Sequence, residues 1–399
     1  MDLTNKTVII GVTGSIAAYK MADCASALAK QGCDVHVIMT KNATEIISPL
    51  TFSTLTGHKT IVDTFDHNVN YNVAHVALAK RADALIVAPA TANIIAKLRH
   101  GLADDMLTTT ALACTCPKLI SPAMNTAMYE NQVVQRNIEG LKTDGWQIIE
   151  PDAGILACKD EGKGKLPKPE AILDALYPHL YPVKDMTGIR VLITAGPTRE
   201  AIDPVRFVSN LSSGKMGYAL AKIAALRGGD VTLVSGPVDL APPYGVDTVN
   251  VLSAAEMYDA VVSRAEDQDI IVKAAAVADY TPVAVADNKI KKSDGDMTIS
   301  LKRTRDILAH LGAHKRDGQL ICGFSMETEN LIDNSRGKLK RKHIDMIAAN
   351  NVKDEGAGFK TDTNLVTLIT DEKTESLPLM SKDDVASAIF DALLKRMGR

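Results

Sequence analysis

Two doubly wound α/β domains with mainly parallel sheets, Rossmann-like in layout, are the fold this sequence predicts, and three observations predict them. Short β-branched apolar runs alternate with segments of helical periodicity along the chain. The order strand, glycine-bearing turn, helix, strand occurs near the start and again after residue 188. A length of 399 residues also exceeds what one hydrophobic core usually organises.

The first unit opens with TVIIGV (7–12), continues with Ala, Leu and Met at helical spacing over 14–30, and returns to strand composition in DVHVIM (34–39). Strands ALIVAP (84–89), KLISPAM (118–124) and WQIIE (146–150), helix TANIIAKL (91–98) and a last helix ending near Leu180 follow. Strands alternating with helices predict a mainly parallel sheet. Residues 151–168 mix Gly, Pro and charge without periodicity, which predicts a mobile loop with a functional purpose. The Pro/Gly-punctuated stretch 181–188 marks the boundary: a first domain 1–182, a linker 183–188 and a second domain 189–399.

The second unit repeats the pattern with IRVLITAGPT (189–198), a helix over 213–229 and DVTLVSG (230–236). Strands near 246–251, 269–273, 319–324, 344–348 and 364–370 alternate with helices near 253–266, 304–316, 328–342 and 381–397. The echo of ALAKQGCDVHVIM in IAALRGGDVTLVS is architectural, with no clear sequence duplication. Residues 281–297 break the alternation as an irregular, lysine-bearing insertion.

Hydrophobic residues at 46% and charged ones at 23% describe a folded chain with a sizeable core. A net charge of −3, from 45 basic and 48 acidic residues, gives no field to attract nucleic acid or an anionic membrane. Any anion site must be local. The N-terminus fits neither a signal nor a transit peptide, and no run approaches the ~20 apolar residues of a membrane span. Six cysteines without a CxxC pair or disulfide-like spacing suit a reducing compartment, so a cytoplasmic protein is expected.

Gly11 to Ala17 (GVTGSIA) joins a strand to a helix, where backbone N–H groups and the positive helix end can hold a phosphate. The fingerprint GxGxxG is absent, and Met39-Thr40-Lys41 stands where a ribose-binding acidic residue would be expected. Ala88 to Asn93 (APATAN) and Ser121 to Asn125 (SPAMN) end two further strands, where open α/β sheets bind ligands, and His75 precedes a helix.

GSIAAYK, APATANIIAK and above all PAMNTAMY (122–129) resemble the homo-oligomeric flavin-containing cysteine decarboxylases over residues 5–180. The resemblance implies FMN, held by Gly14, Ser15, Thr40, Ala90 and Thr91. Losing CO2 from a cysteine carboxylate leaves a carbanion, which needs an electron sink, and flavin creates one by oxidising the thiol to a thioaldehyde. On the resemblance Cys158 donates the final proton from a loop closing over the substrate, His75 serves as base or orienting group, and Asn125 holds the substrate carboxylate. Tyr129 departs from the family motif, which most often ends in Trp.

In the second unit, Ala195 to Glu200 and Ser209 to Gly217 frame another phosphate-ready strand-to-helix connection. Lysines 289, 291 and 292, and the run Lys338-Leu339-Lys340-Arg341-Lys342, are local positive clusters. Such runs are usually solvated helix faces, yet a nucleoside triphosphate needs this kind of compensation. ITAGPTREAIDPVRFVSN, SSGKMG, AAVADY and KIKK closely resemble the phosphopantothenate-cysteine ligase domain that follows the decarboxylase in bacterial bifunctional chains. The match runs from about residue 189 to the C-terminus.

That resemblance implies activation of the 4'-phosphopantothenate carboxylate by CTP with Mg2+, giving an acyl-cytidylate, then attack by the amine of L-cysteine. Lys289 then stabilises charge on the triphosphate, Asn210 stabilises the intermediate or its breakdown, and Arg206 lies near the substrate phosphate. Asp279, Arg305, Asp306, Ile307, Leu308, Phe324, Lys338 and Lys342 match nucleotide positions, with Arg305 where the family commonly has proline. CTP rather than ATP is carried by the resemblance alone, and the Mg2+ ligands are not assigned. The family also implies a large homo-oligomer of trimeric decarboxylase units and paired ligase domains.

Two rivals remain to be weighed. A non-catalytic regulatory flavoprotein is disfavoured by His75, Asn125 and Cys158 occurring in one chain, and a nicotinamide-dependent dehydrogenase by the missing GxGxxG and acidic residue.

Overall fold

The computed structural model describes residues 3–64, 74–155, 161–181, 183–291, 297–327, 331–351 and 361–398, and the chain forms two compact units, Met1–Pro182 and Val183–Arg399. In the first unit the strands are β1 (Thr7–Val12), β2 (Asp34–Met39), β3 (Ala84–Ala90), β4 (Lys118–Pro122) and β5 (Trp146–Ile148). They form one sheet in the order β2-β1-β3-β4-β5, every pair parallel. All six residues of β1 and all seven of β3 are buried, which is why these segments read as unbroken apolar runs: helices cover both faces.

The first unit's helices are α1 (Met21–Lys30), α2 (Lys41–Thr44), α3 (Pro49–Thr56), α4 (Ala74–Arg81), α5 (Ala92–Arg99), α6 (Met106–Ala113), α7 (Thr126–Glu130), α8 (Gln132–Thr143) and α9 (Pro169–Leu180). The helix expected over 14–30 begins as a 3-10 turn at Ile16–Lys20, with Ser15 as its N-cap. Ile9, Leu85, Val87, Ile94, Leu107 and Ile120 meet in the core, and a Cβ at Gly11 would lie 2.5 Å from Leu107 Cδ1, so α6 seats directly on β1.

Residues 151–168, read from their lack of periodicity as a loop, include two paired strands. These strands, β6 (Asp152–Ile155) and β7 (Glu161–Lys165), pair antiparallel, and Met124 N–H donates to Gly164 O at 3.0 Å. Gly164 sits at φ +134, and a side chain there would meet Met124 O at 2.3 Å. Glycine lets the backbone lie against the β4–α7 loop, and its lack of a side chain hides the strand from any periodicity test.

The second unit contains β8 (Arg190–Ala195), β9 (Arg199–Asp203), β10 (Arg206–Ser209), β11 (Asp230–Ser235), β12 (Asp247–Asn250), β13 (Ile270–Lys273), β14 (Tyr280–Pro282), β15 (Leu301–Arg303), β16 (Leu320–Glu327), β17 (Met346–Asn351), β18 (Thr363–Asn364), β19 (Val366–Ile369), β20 (Thr374–Ser376) and β21 (Met380–Ser381). Its helices are α10 (Lys215–Leu226), α11 (Ala254–Ala265), α12 (Ile307–Ala313), α13 (Leu331–Lys342) and α14 (Lys382–Arg396). The main sheet runs β12-β11-β8-β13-β16-β17-β19-β20, parallel through β17 and antiparallel beyond it. Between β8 and α10, where the sequence suggested a simple connection, β9 and β10 form an antiparallel hairpin. β14 pairs with β15 across the irregular insertion.

Helix starts follow local chemistry: Thr91, Ser253, Asp306 and Ser381 cap α5, α11, α12 and α14 through their side-chain oxygens. Gly312 brings α12 against the end of α13, because a Cβ there would lie 1.7 Å from Lys342 O. Gly312→Ala is therefore expected to destabilise the second unit by about 1–3 kcal/mol through overpacking, read as a lowered urea midpoint.

Candidate functional site

In an open parallel sheet the ligand crevice lies at the carboxyl ends of the strands, where strand order reverses. In the first unit that point falls between β1 and β3. Thr13, which follows β1, donates from Oγ1 to Pro89 O at 2.6 Å and accepts from Thr91 N–H at 3.2 Å, locking the two strand ends together. Thr91 Oγ1 in turn accepts from Ile94 N–H at 3.4 Å and starts α5.

A cavity of about 590 Å³ opens there, lined by Thr13, Gly14, Thr40, Lys41, Asn42 and Thr91 among others. A Cβ at Gly14 would come within 2.6 Å of Asn42 Cβ, so the turn has room only for glycine. Among the described residues, none pairs with Thr40 Oγ1, which is buried in this wall. A second cavity, about 380 Å³, begins at the next residue and is lined by Ser15, Lys20, Ala123, Met124, Asn125, Ile155 and Gly164. Gly14, Thr40 and Thr91 thus face the first cavity and Ser15 and Asn125 the second, while Ala90 is buried at the end of β3.

Asn125 caps α7, its Oδ1 accepting from Ala127 N–H at 2.9 Å and Met128 N–H at 3.3 Å. That fixes the oxygen inward, so an acceptor met by this side chain is met through its nitrogen. Lys20 donates to Leu166 O at 2.7 Å, and burial lowers its pKa, with Lys165 adding to the effect. His75 stands half-buried in the first turn of α4 and lines neither cavity. Cys158 lies outside the described residues. Tyr129, the departure from the family motif, is a core residue whose hydroxyl donates to Glu150 Oε2 at 2.9 Å; burial and then that contact push its pKa up to about 12.

In the second unit the strand order reverses between β8 and β13. Thr194 and Thr198 accept through Oγ1 from the N–H groups of Ala275 and Ala278, at 3.1 and 3.0 Å, and Ala276 N–H donates to Gly196 O at 2.9 Å. The chain leaving β13 is thereby strapped to the chain leaving β8. Two cavities open beside it, sharing Asp279 and Phe324 as walls.

The first of these, about 390 Å³, gathers every predicted nucleotide residue except Lys289: Asp279, Arg305, Asp306, Ile307, Leu308, Phe324, Lys338 and Lys342. Asp306 caps α12 through Oδ1 and pairs with Lys342 through Oδ2, while Lys338 Nζ donates to Phe324 O at 3.3 Å. Arg305 pairs with Asp259 at 2.7 Å and lays its guanidinium 3.9 Å from the Tyr258 ring, an anchorage that proline could not supply. The second cavity, about 640 Å³, is lined by Asn210 and residues 211–217 at the start of α10. Asn210 Nδ2 donates to Ala276 O at 3.0 Å and Val277 O at 3.3 Å.

Two predicted residues stand elsewhere. Lys289 is exposed and lines neither cavity. Arg206 binds Asp203 and the carbonyl of Ile290 and also lies outside both.

The sequence reading missed Lys273, the partly buried last residue of β13, which lines the 390 Å³ cavity. Its signal was a lysine ending an otherwise apolar run, IIVK, at a strand's carboxyl end. Thr13 and Thr304 were missed too; Thr304 Oγ1 donates to Ala278 O at 2.7 Å and holds the loop before α12.

Among the described residues, one group, Asp34, His36 and His58, brings possible metal-ligand atoms within 4.8 Å of one another. Arg81 pairs with the same carboxylate and the two imidazoles stack at 4.3 Å, so Asp34 is already satisfied.

Burial pushes the Lys273 ammonium down to about 8, Lys338 adding to the shift and Asp306 opposing it. In an unfolded chain the amine titrates near ~10.4. Between those two values the unfolded state binds the extra proton, so this group makes the second unit more stable as pH rises through the window. The difference in urea midpoint between wild type and Lys273→Met is expected to climb in favour of wild type over that interval. A difference that stays flat would show that the amine is not held in a low-dielectric wall.

Residues 1–180 match the family model described as Flavoprotein, and residues 186–397 the model described as DNA/pantothenate metabolism flavoprotein C-terminal domain. The coenzyme A biosynthesis bifunctional protein CoaBC of Bacillus subtilis (strain 168) is 49% identical over 403 residues, covering 99% of each chain. That of Escherichia coli (strain K12) is 41% identical over 399 residues, covering 99% of this chain and 98% of its own. A crystal structure of the C-terminal domain of a CoaBC protein is 42% identical, covers 54% of this chain and 98% of its own, and superposes with a TM-score of 0.47. Full-length identity and both domain models in this order establish that the chain belongs to the bifunctional CoaBC enzymes of coenzyme A biosynthesis, a flavoprotein-type phosphopantothenoylcysteine decarboxylase domain followed by a phosphopantothenoylcysteine synthetase domain.

Proposed function

We propose that residues 189–399 join 4'-phosphopantothenate to L-cysteine with CTP, by way of an acyl-cytidylate, and that residues 1–182 use FMN to convert the product to 4'-phosphopantetheine, with 183–188 as linker. The observation that carries this reading is the convergence of eight family nucleotide positions on one 390 Å³ cavity beside the carboxyl end of β13. Solvated helix faces would have no reason to converge so.

A carboxylate does not react with an amine until one of its oxygens becomes a leaving group. Lys338, Lys342 and Lys273 give the cavity the cations a triphosphate needs, and Mg2+ travels with the nucleotide. Lys289 stabilises the charge that passes to the triphosphate as the acyl-cytidylate forms. Asn210 acts on that intermediate, and Arg206 serves the substrate phosphate.

In the first domain, Gly14, Ser15, Thr40, Ala90 and Thr91 hold FMN. The buried Thr40 hydroxyl, with no partner among the described residues, and the close backbone at Gly14 suit a polar, phosphate-bearing group. Bound FMN supplies an acceptor for two electrons from the substrate thiol, which makes loss of CO2 feasible, and afterwards returns them. Asn125 holds the substrate carboxylate through its nitrogen, His75 takes the thiol proton or orients the thiol, and Cys158 delivers the final proton. The same reading makes the protein a cytoplasmic homo-oligomer with trimeric decarboxylase units and paired ligase domains; a stable, active monomer in sedimentation would overturn that part.

The direct test is mass spectrometry of the products from phosphopantothenate, cysteine and CTP. Phosphopantothenoylcysteine, 4'-phosphopantetheine, CMP and pyrophosphate are expected, with FMN released on denaturation of a yellow protein. Lys289→Gln should lower the ligase rate by about 100-fold or more while added phosphopantothenoylcysteine is still decarboxylated. Cys158→Ser should bind and oxidise substrate but stop before reduced product. Colourless protein, or loss of both activities in the lysine variant, counts against the scheme.

A further inference from the structure

Asp203, at the turn between β9 and β10, is 2% exposed, and its carboxylate accepts five hydrogen bonds. Oδ1 takes the N–H groups of Val205 and Arg206, both at 2.9 Å. Oδ2 takes Arg206 Nε at 2.9 Å, Arg206 Nη2 at 2.5 Å and the N–H of Ile290 at 3.1 Å. Arg206 Nη2 also donates to Ile290 O at 2.8 Å.

Both backbone groups of Ile290, the residue after Lys289, are therefore held by this one ion pair. A third contact ties the same segment to the hairpin, from Ala286 N–H to Ile202 O at 3.0 Å. The turn itself needs only the Oδ1 bonds, which a neutral asparagine could accept equally well. What requires a carboxylate is Oδ2, and its two partner residues, Arg206 and Ile290, are together the clamp on the lysine-bearing segment. Burying a carboxylate without such partners would be costly. Arg206 holds the Asp203 carboxyl well below the usual carboxylate range, so the clamp stays charged throughout neutral pH.

We propose that Asp203 is a positioning residue for the ligase reaction: directly and through Arg206 it fixes the Ile290 peptide, and so sets where Lys289 presents its ammonium. This rests on the reading of Lys289 as the group that meets the triphosphate. Freed of the clamp, the segment would spread the ammonium over many positions, and misplacement by about 1 Å can cost on the order of 100-fold in rate.

Pyrophosphate release from CTP, with phosphopantothenate and cysteine, should be measured for wild type, Asp203→Asn, Lys289→Gln and the double variant. Asp203→Asn alone is expected to lower kcat by about 10- to 100-fold with KM for CTP moved less than about threefold; added to Lys289→Gln it should lower the rate by less than about twofold further. An equal loss in both backgrounds would mean that Asp203 does not act through Lys289. A Lys289→Gln enzyme of wild-type rate would instead remove the premise, and the single variant alone tells that failure apart. Should Asp203→Asn unfold the hairpin, Ile290→Pro removes the N–H on the segment's side and should give the same background-dependent loss, with additivity again overturning the proposal.

Discussion

Parallel strands cannot be closed by tight turns, and everything functional in this chain depends on that constraint. Each strand of the two main parallel arrays must be followed by a crossover, so every β-to-α loop leaves its sheet at the same edge. Where strand order reverses, two such loops diverge and leave a crevice between them. The protein closes the floor of that crevice with threonines in both units. Thr13 bonds to both ends of the Pro89–Thr91 segment, and Thr194 and Thr198 catch the chain leaving β13. A hydroxyl can donate and accept at once, which suits it to bridging two backbones that have just left a sheet.

What the sequence made legible follows from this geometry. Strands buried on both faces announce themselves as apolar runs, and their ends offer Gly14, Thr40, Thr91 and Asn125 as candidates, whereas the positions around Lys338 come from the family resemblance and not from the pattern of strands. The hairpins could not. β9 and β10 are short, with Glu200 and Asp203 at buried positions and Phe207 and Val208 at exposed ones, β6 and β7 are spaced by glycines, and β14 meets β15 only across the intervening insertion. None of these has a buried face long enough to impose a period of two. Arg206 shows the same limit at the level of one side chain: the motif identifies it, but only the fold reveals that Asp203 and Ile290 engage two of its guanidinium nitrogens.

Charge is handled locally because the chain as a whole is nearly neutral. Lys273, Lys338 and Lys342 enter one cavity with Asp279 and Asp306 among them, so cations destined for a polyanion are partly balanced before it arrives. Lys342 is paired with Asp306, whereas Lys273 is left in the wall with its proton weakly held. An incoming triphosphate would favour the charged amine. Affinity and protonation are coupled at that residue by electrostatics alone.

The two motif asparagines illustrate how a fold decides what a side chain can do. Each is an amide with one accepting and one donating end, and each commits one end to backbone. Asn125 commits its oxygen to the start of α7, so a substrate carboxylate could be met only through its nitrogen. Asn210 commits its nitrogen to two successive carbonyls of the β13 loop, so what it offers the 640 Å³ cavity is an acceptor. An acceptor is poorly suited to an oxyanion and well suited to an attacking ammonium or amine. On the reading proposed above, the hydrogen-bond polarity of Asn210 would suit orienting the amine of cysteine during breakdown of the intermediate better than holding the nucleotide's departing charge.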